Sequence, residues 1–244
     1  GIADVLSSMR DGSLRITKGA APGHLTNGWQ VGRGWNTFTW FSRIPDTNGD
    51  RVEDMLSRRN NGNLYLYFGK GTGQFSYPRQ VGRNWSGLDR LTVVGDMDRD
   101  GRQEVVGVIT SGRGKGKLMR YSLDRRRGLT GKTQIGWNWG SIRHIASVGD
   151  FDGNGTADLL GVAANGNLYC YFTDKGRIVR TRQVGRGWTG WTALFSPGDL
   201  SGDGRPDLMG RRSDGHLYSY RNLRGRWGSK RLAGTGWNNA RMFG

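Results

Sequence analysis

The sequence is poor in cysteine, histidine and acidic residues, and it has no long hydrophobic run. Its single cysteine, Cys170, lies in the apolar pattern Leu-Tyr-Cys-Tyr, so no disulfide can form within the chain. We expect this thiol to be a small strand residue rather than a nucleophile. No segment approaches the roughly 18 consecutive apolar residues of a transmembrane helix. We therefore predict neither a disulfide framework nor a membrane span.

Signatures of common active sites are also missing. The three histidines, His24, His144 and His216, share no position in the repeat described below and have no metal-binding spacing. There is no Gly-x-Ser-x-Gly nucleophile motif. Residues 131–133 end like a phosphate-binding loop, but Arg126 stands where that loop requires glycine. We therefore predict that the protein is not an enzyme.

Acidic residues are scarce relative to basic ones. There are 20 Asp and Glu against 37 Lys and Arg, which leaves a formal net charge of +17 and a pI of about 10.8. A field of this sign attracts polyanions such as anionic glycans, acidic polymers and nucleic acid. The alternative is that the charge reflects codon usage in a GC-rich genome and a solubilising surface.

Glycine and aromatic residues are abundant, with 43 Gly, 10 Trp, 8 Tyr and 8 Phe. Only 34% of the residues are hydrophobic and the mean hydropathy is −0.65, values that by themselves are compatible with disorder. Short alternating apolar runs between regularly spaced turn signals indicate many short β-strands instead. Glycine suits the hairpins and bulges of such a fold. We therefore predict an all-β protein.

A repeat of about 50 residues runs through the whole chain. One element ends in a tryptophan, which recurs as Trp35, Trp85, Trp139, Trp188 and Trp237. Another is an aromatic strand after a tight turn, at residues 64–67, 118–121, 168–171 and 217–220, with a weaker copy at 14–16. In the fourth copy we predict strands at 144–149, 158–162, 167–172 and 178–184.

Four short strands per copy match the size of a propeller blade. The two chain ends each carry part of one interrupted copy, so we expect both to complete the same blade of a closed ring. We predict a five-bladed β-propeller in a single domain, with units of approximately 1–45, 46–95, 96–149, 150–198 and 199–244. We expect Gly1 to be a mature terminus or a cut within a longer protein.

Four copies carry a nine-residue acidic loop with oxygen-bearing side chains at positions 1, 3, 5 and 9. These side chains are Asp46, Asn48, Asp50 and Asp54; Asp96, Asp98, Asp100 and Glu104; Asp150, Asp152, Asn154 and Asp158; and Asp199, Ser201, Asp203 and Asp207. Such spacing can wrap a hard cation, so we predict bound Ca²⁺. The second and third loops fit best, because Arg51 replaces a turn glycine in the first and Ser201 replaces a carboxylate or amide in the fourth.

Two other interpretations of these loops can be compared with calcium binding. An EF-hand is excluded, because it needs glutamate at position 12, where this sequence has Ser57, Gly107, Gly161 and Gly210. A set of metal-free turns, held by bonds between aspartate side chains and the backbone, stays open as an alternative.

The pattern Gly-Asp-x-x-Gly-Asp-Gly-x-x-Asp-Leu at residues 198–208 resembles the FG-GAP/VCBS repeat family, and residues 149–159 are similar to it. The Asp-Gly-x-Leu-Tyr-x-Tyr and Gly-x-Gly-Trp elements resemble the tachylectin-like repeats of secreted actinobacterial proteins. The resemblance covers essentially the whole chain. It implies a β-propeller, calcium in the aspartate loops, and a secreted binding module that accompanies a hydrolase or toxin. Tachylectin-like rings bind amino sugars between blades.

The repeated tryptophans are candidate ligand-binding residues. An exposed indole can stack on a sugar ring while a nearby arginine holds its hydroxyl or acidic groups. Arg33, Arg83 and Arg186 stand two residues before their tryptophans and complete the predicted set. The alternative is that these tryptophans wedge adjacent blades together. The off-register Trp29, Trp40, Trp191 and Trp227 are also expected to be exposed, because the repeat geometry does not require them.

These observations lead to three hypotheses for function. The first is a lectin-like module that binds cell-surface carbohydrate or an anionic polymer and targets an attached or partner enzyme or toxin. The second is a calcium-stabilised propeller that docks another protein. The third, nucleic-acid binding, rests on charge alone and is not favoured. The cluster Arg125, Arg126 and Arg127 is expected to form a protruding loop that either holds an anion or is simply solvated.

Overall fold

The computed structural model is a ring of five four-stranded antiparallel sheets and describes residues 1–20, 22–124 and 128–244. The strands are β1 (Val5–Met9), β2 (Leu14–Ala20), β3 (His24–Gly32), β4 (Phe38–Ile44), β5 (Asp54–Arg59), β6 (Leu64–Tyr67), β7 (Arg79–Gly82), β8 (Leu88–Gly95), β9 (Glu104–Ile109), β10 (Leu118–Asp124), β11 (Gly128–Gly136), β12 (His144–Ala146), β13 (Leu159–Val162), β14 (Leu168–Asp174), β15 (Arg177–Gly185), β16 (Trp191–Gly198), β17 (Asp207–Arg212), β18 (Leu217–Tyr220), β19 (Arg231–Gly234) and β20 (Ala240–Phe243).

The helical elements in the described residues are short 3₁₀ turns. They are Trp35–Thr37, Trp85–Gly87, Gly112–Gly114, Trp139–Ser141 and Trp237–Asn239. Among the described residues, none of these helices has the length and apolar character needed to cross a membrane.

Both chain ends complete one blade, as predicted. Strand β20 pairs with β1 in the sheet β20-β1-β2-β3, which we call blade I. Blades II to V follow in chain order as β4–β7, β8–β11, β12–β15 and β16–β19. The five-bladed, all-β propeller that the repeat predicts is therefore confirmed.

In each sheet we call the strand nearest the axis of the ring the first strand; in blade I this is β20, the last strand of the chain. Strands β20, β4, β8, β12 and β16 contact one another in a closed circle, whereas β3, β7, β11, β15 and β19 lie at the rim. The predicted strands of the fourth copy are present, but β12 ends at Ala146. Just beyond this end, the hydroxyl of Ser147 lies 2.7 Å from the carbonyl oxygen of Asp158 and 2.8 Å from that of Val94 in the neighbouring blade, and its single proton goes to one of the two.

The ring has two distinct faces. On the loop face, the acidic loops join first to second strands, and longer hairpins join third to fourth strands. On the turn face, tight turns join second to third strands, and the tryptophan turns lead from each rim strand into the next blade. The repeat thus places all acidic loops on one face and all repeated tryptophans on the other.

The core lies between blades rather than within them. One apolar cluster, for example, joins Leu56 and Leu66 of blade II to Val105, Met119 and Tyr121 of blade III. Similar clusters fill the other four interfaces. A single blade has no second layer to cover its faces, so closure of the ring supplies the burial that each unit needs.

Candidate functional site

The acidic loops share a network of backbone hydrogen bonds. In the third loop, Asp150 at position 1 accepts the backbone N–H groups of Gly153 at 2.7 Å and Gly155 at 2.8 Å. Asp158 at position 9 is buried and accepts N–H groups from Phe151 at 3.0 Å and Thr173 at 2.9 Å. These bonds shape the loop and orient its carboxylates.

Two loops gather three carboxylates each. Asp96, Asp98 and Glu104 bring one oxygen each to within 4.8 Å of one another, and so do Asp150, Asp152 and Asp158. A grouping of this size and oxygen-only chemistry suits a hard divalent cation. The second and third acidic loops can therefore hold a metal ion.

The second loop also has carboxylate oxygens without a hydrogen-bond partner. Glu104 Oε1 and Asp98 Oδ1 are both buried and unpartnered. Burial raises the pKa of Glu104 to about 7, and burial also raises that of Asp158 in the third loop to about 7. A buried oxygen without a partner is costly, and a bound cation would satisfy it, so the residues present fit a metal ion.

Within the described residues, the first and fourth loops gather no such group of three carboxylates. In the fourth loop, Asp203 instead accepts hydrogen bonds from Arg205 at 2.8 Å and Arg221 at 2.7 Å. In the first loop, Asn48 donates to Asp50 at 2.9 Å, and Arg51 has a positive φ of 67°. An arginine also pairs with a carboxylate in each of the middle two loops, Arg120 with Asp98 and Arg180 with Asp152. The gathering of three carboxylates, and not the arginine contacts, therefore sets the middle two loops apart.

The glycines of the tryptophan turns are required by the backbone and by the indole. The residue before each tryptophan is left-handed, with φ of 78° at Gly34 and 62° at Asn84, a region that Gly and Asn tolerate best. Three residues before its tryptophan, a Cβ at Gly136 would lie only 2.2 Å from Nε1 of Trp139. The Gly-x-Gly-Trp pattern thus lays each indole flat on its own turn.

Each of the first four tryptophans packs on a tyrosine of the blade that follows it. The ring centroids are 5.5 Å apart for Trp35 and Tyr67, 4.7 Å for Trp85 and Tyr121, 4.4 Å for Trp139 and Tyr171, and 4.7 Å for Trp188 and Tyr220. Trp35, Trp139 and Trp188 are only 4–6% exposed, as blade packing requires. Sugar stacking on the repeated tryptophans stays a prediction, and Trp85 and Trp237 are the two with partly exposed rings.

The ring-closing interface between blades V and I differs from the other four. Blade I has Thr17 where the other blades have the partner tyrosine, and Arg15 precedes it by two residues. A groove of about 450 Å³ lies there beside Trp237, lined also by Ser7 and Thr26. The repeat pattern did not predict this groove, although Thr17 in the weakest aromatic strand is the sequence signal for it.

The other predicted site residues lie apart from this groove. Arg33, Arg83 and Arg186 are exposed on the turn face, each near its own tryptophan. Of the off-register tryptophans, Trp29 is 42% exposed, whereas Trp191 is buried. The expectation that Trp191 is exposed is wrong, because its ring packs 5.5 Å from Trp188 at an interface between blades. Residues 125–127 lie outside the described residues.

A family model described as FG-GAP-like repeat matches residues 46–107, 96–161 and 150–210. No curated protein matches the chain. The BP39L lectin from Burkholderia pseudomallei is similar in structure, with a TM-score of 0.53 and 15% identity over 96% of this chain and 66% of that chain. BBS1N in complex with ARL6DN, soaked with lead, has a TM-score of 0.46 and 12% identity over 93% and 66%. This chain thus spans just under two thirds of these structures, and the likeness to the lectin shows the fold.

Proposed function

The chain belongs to the FG-GAP-like repeat family, and from this premise we propose that it is a non-catalytic binding module. Its ligand is carbohydrate on a cell surface or an anionic polymer. In this proposal the protein works outside the cell and directs an attached or partner enzyme or toxin to that surface. The observation that carries the proposal is the groove beside Trp237, the one repeated tryptophan whose partner tyrosine is replaced.

The groove offers the chemistry that a sugar ring needs. The partly exposed indole of Trp237 supplies an apolar face, and the exposed side chains of Thr26 and Thr235 line the groove with hydroxyl groups for sugar hydroxyls. Arg15 donates to the carbonyl oxygen of Gly28 at 3.3 Å, which holds its guanidinium at the groove. The lectin name of the similar propeller adds support, since that protein has the same fold.

Calcium is the proposed ion of the acidic loops. Asp96, Asp98 and Glu104 would hold it in the second loop, and Asp150, Asp152 and Asp158 in the third. Bound Ca²⁺ would neutralise buried carboxylates and fix the loops to the starts of the second strands. Its proposed role is structural, because the groove lies at the opposite face.

Docking of another protein is the alternative function. The large apolar side chains most exposed among the described residues are Tyr77 at 97%, Trp137 at 68% and Val179 at 62%. They lie on different blades, so they do not form one apolar patch of the kind that marks a protein interface. A sugar ligand therefore has the better support.

The experiment that tests the sugar site compares two substitutions at one position. Thr17→Tyr would restore the tyrosine of the other interfaces and fill the groove, whereas Thr17→Ser would keep it open. On a glycan array with and without chelator, we expect the wild-type chain and Thr17→Ser to retain the same sugars and Thr17→Tyr to lose them. Retention of those sugars by a folded Thr17→Tyr chain would exclude the groove as their site. A chain that retains no glycan or polymer, but co-purifies with a protein, would support docking.

A further inference from the structure

Charge is distributed unequally between the two faces of the ring. The acidic residues lie on the loop face, apart from Asp11, Asp89 and Asp214. Several arginines of the loop face pair with those carboxylates. Examples are Arg43 with Glu53 at 2.9 Å, Arg180 with Asp152 at 2.9 Å, and Arg221 with Asp203 at 2.7 Å. The turn face therefore carries most of the unneutralised positive charge.

On the turn face, each interface between blades uses one basic side chain. At four interfaces an arginine of one blade donates to backbone carbonyl oxygens at the start of the next blade. These bonds run from Arg241 to Asn36 at 2.9 Å, from Arg58 to Trp85 at 3.0 Å, from Arg90 to Ile142 at 2.7 Å and from Arg211 to Trp237 at 3.1 Å. His144 serves the remaining interface through the carbonyl oxygen of Trp191. Neutral carbonyl groups hold these cations in place without cancelling their charge.

Two of these arginines, Arg211 and Arg241, lie with Arg10 on the turn face where blade V meets blade I. The three line an open cavity of about 590 Å³ together with Asn36 and Ala240. We call this cavity the axial mouth, because Ala240 and Arg241 begin β20, the strand of blade I nearest the axis. The pKa of Arg211 is lowered, first by burial and then by the nearby charge of Arg10. Crowded like charges repel each other, so an anion between them would relieve an unfavourable arrangement.

The acidic residues of the turn face are engaged elsewhere. Asp11 accepts a hydrogen bond from the Ser13 hydroxyl at 2.7 Å, and Asp214 lies 2.9 Å from His216. Asp89 lies 4.0 Å from Arg90 on the far side of blade II. In the part of the chain that the structure describes, none of the three arginines at the mouth forms an ion pair with a carboxylate.

We propose that this axial mouth binds the phosphate or sulfate groups of an acidic glycan polymer between Arg10, Arg211 and Arg241. The planar guanidinium presents paired N–H donors that match the oxygens of these groups. The bonds of Arg211 to Thr192, Trp237 and Ala240 use Nε and Nη1, so Nη2 stays available for the anion. Arg241 likewise uses Nη1 for Asn36. This site rests on the proposed function, of which it specifies the anionic-polymer ligand, and it is separate from the sugar groove beside Trp237.

The test uses calorimetric titration with sucrose octasulfate, with sucrose as the uncharged control and an oligomer of glycerol phosphate as the phosphate source. The axial double variant Arg10→Gln/Arg241→Gln removes two exposed cations from the mouth. The matched control is Arg177→Gln/Arg231→Gln, which removes two exposed cations from rim strands and leaves the same net charge. We expect the axial variant to bind the anions about tenfold more weakly or worse, since bonds to charged groups are the strong ones, and the control to bind nearly as the wild type does.

Each other outcome has a distinct meaning. Equal weakening in both double variants would show that overall charge, not the mouth, attracts the anion, and would overturn the site. Undiminished binding by the axial variant would overturn the site and leave the anionic-polymer function standing. If the wild-type chain binds neither anion, both the site and the anionic-polymer function fail, and the sugar groove is decided by the glycan array alone. Binding of only one probe would identify sulfate or phosphate as the source.

Discussion

The imidazole Nε2 of His144 lies 2.9 Å from the carbonyl oxygen of Trp191, across the interface between blades IV and V. Because a carbonyl oxygen only accepts, Nε2 carries the proton of this hydrogen bond. In each of the other four interfaces an arginine donates to a backbone carbonyl oxygen of the next blade or its entry turn, and arginine keeps its charge at any physiological pH. One of the five interfaces therefore uses a donor whose side chain can change its charge with pH.

This arrangement predicts that the His144 interface weakens in mild acid. Burial first, and then the charges of Arg143 and Arg90, lower the pKa of His144 in the folded chain. As the pH falls below about 6.5, the unfolded chain takes up a proton that the folded chain resists, so stability is lost. We expect the free energy of unfolding to fall more between pH 7.5 and 5.5 in the wild type than in His144→Gln. His24→Gln, at an exposed position, should behave as the wild type. Equal pH profiles for all three chains would contradict the prediction.

The tyrosine under each buried tryptophan should be important for stability. Tyr220→Thr would reproduce at the Trp188 interface the threonine that blade I has naturally. We expect it to lower the free energy of unfolding by about 1–3 kcal/mol, because a large, partly buried side chain that packs on Trp188 is truncated. Tyr77→Thr makes the same change at a side chain that is 97% exposed, and it should change stability by less than about 0.5 kcal/mol. Urea denaturation measures both, and equal effects would disprove the packing role.

Calcium should stabilise the ring through its second and third loops. We expect added Ca²⁺ to raise the melting temperature and a chelator to reverse the rise, with about 2.7 kcal/mol gained at a hundred times the dissociation constant. Asp98→Asn should reduce this response. Asp203→Asn, in the fourth loop, which lies outside the two groups of three carboxylates, should leave it unchanged. A melting temperature indifferent to calcium would favour the metal-free turns.

Cys170 should report on global unfolding. Its side chain is fully buried, and burial raises the pKa of its thiol far above the usual range, so little thiolate exists in the folded chain. We expect an aromatic disulfide reagent to label it only under conditions that unfold the ring, with labelling and loss of tryptophan fluorescence changing together. Rapid labelling of the folded chain would show instead that the interface between blades IV and V opens locally.

Much of the fold could be predicted from local pattern. Strand and turn signals recur in every blade, so the spacing of the strands and the acidic loops follow from residues close in sequence. The blade that the two chain ends share follows from comparing each end with a complete copy of the repeat. The coming together of Asp96, Asp98 and Glu104 is similarly local, since a nine-residue loop brings its own side chains together. The boundary of β12 was less predictable, because the hydroxyl of Ser147 just beyond it lies 2.8 Å from the carbonyl oxygen of Val94 in the neighbouring blade.

By itself, the sequence determined the number of blades, because the repeat occurs five times, and the closure of the ring, because the two chain ends share one copy. It also determined that acidic loops and tryptophan turns lie on opposite faces, because each occupies a fixed place among the strands of the repeat. Only the tertiary structure decided which tryptophans are accessible and where charge stays unpaired. Trp237 differs from Trp188 because the residue beneath it, Thr17, comes from the far end of the chain. Arg10 and Arg241 approach Arg211 only once the ring has closed. Such contacts depend on which blade follows which in space, and no single repeat contains that information.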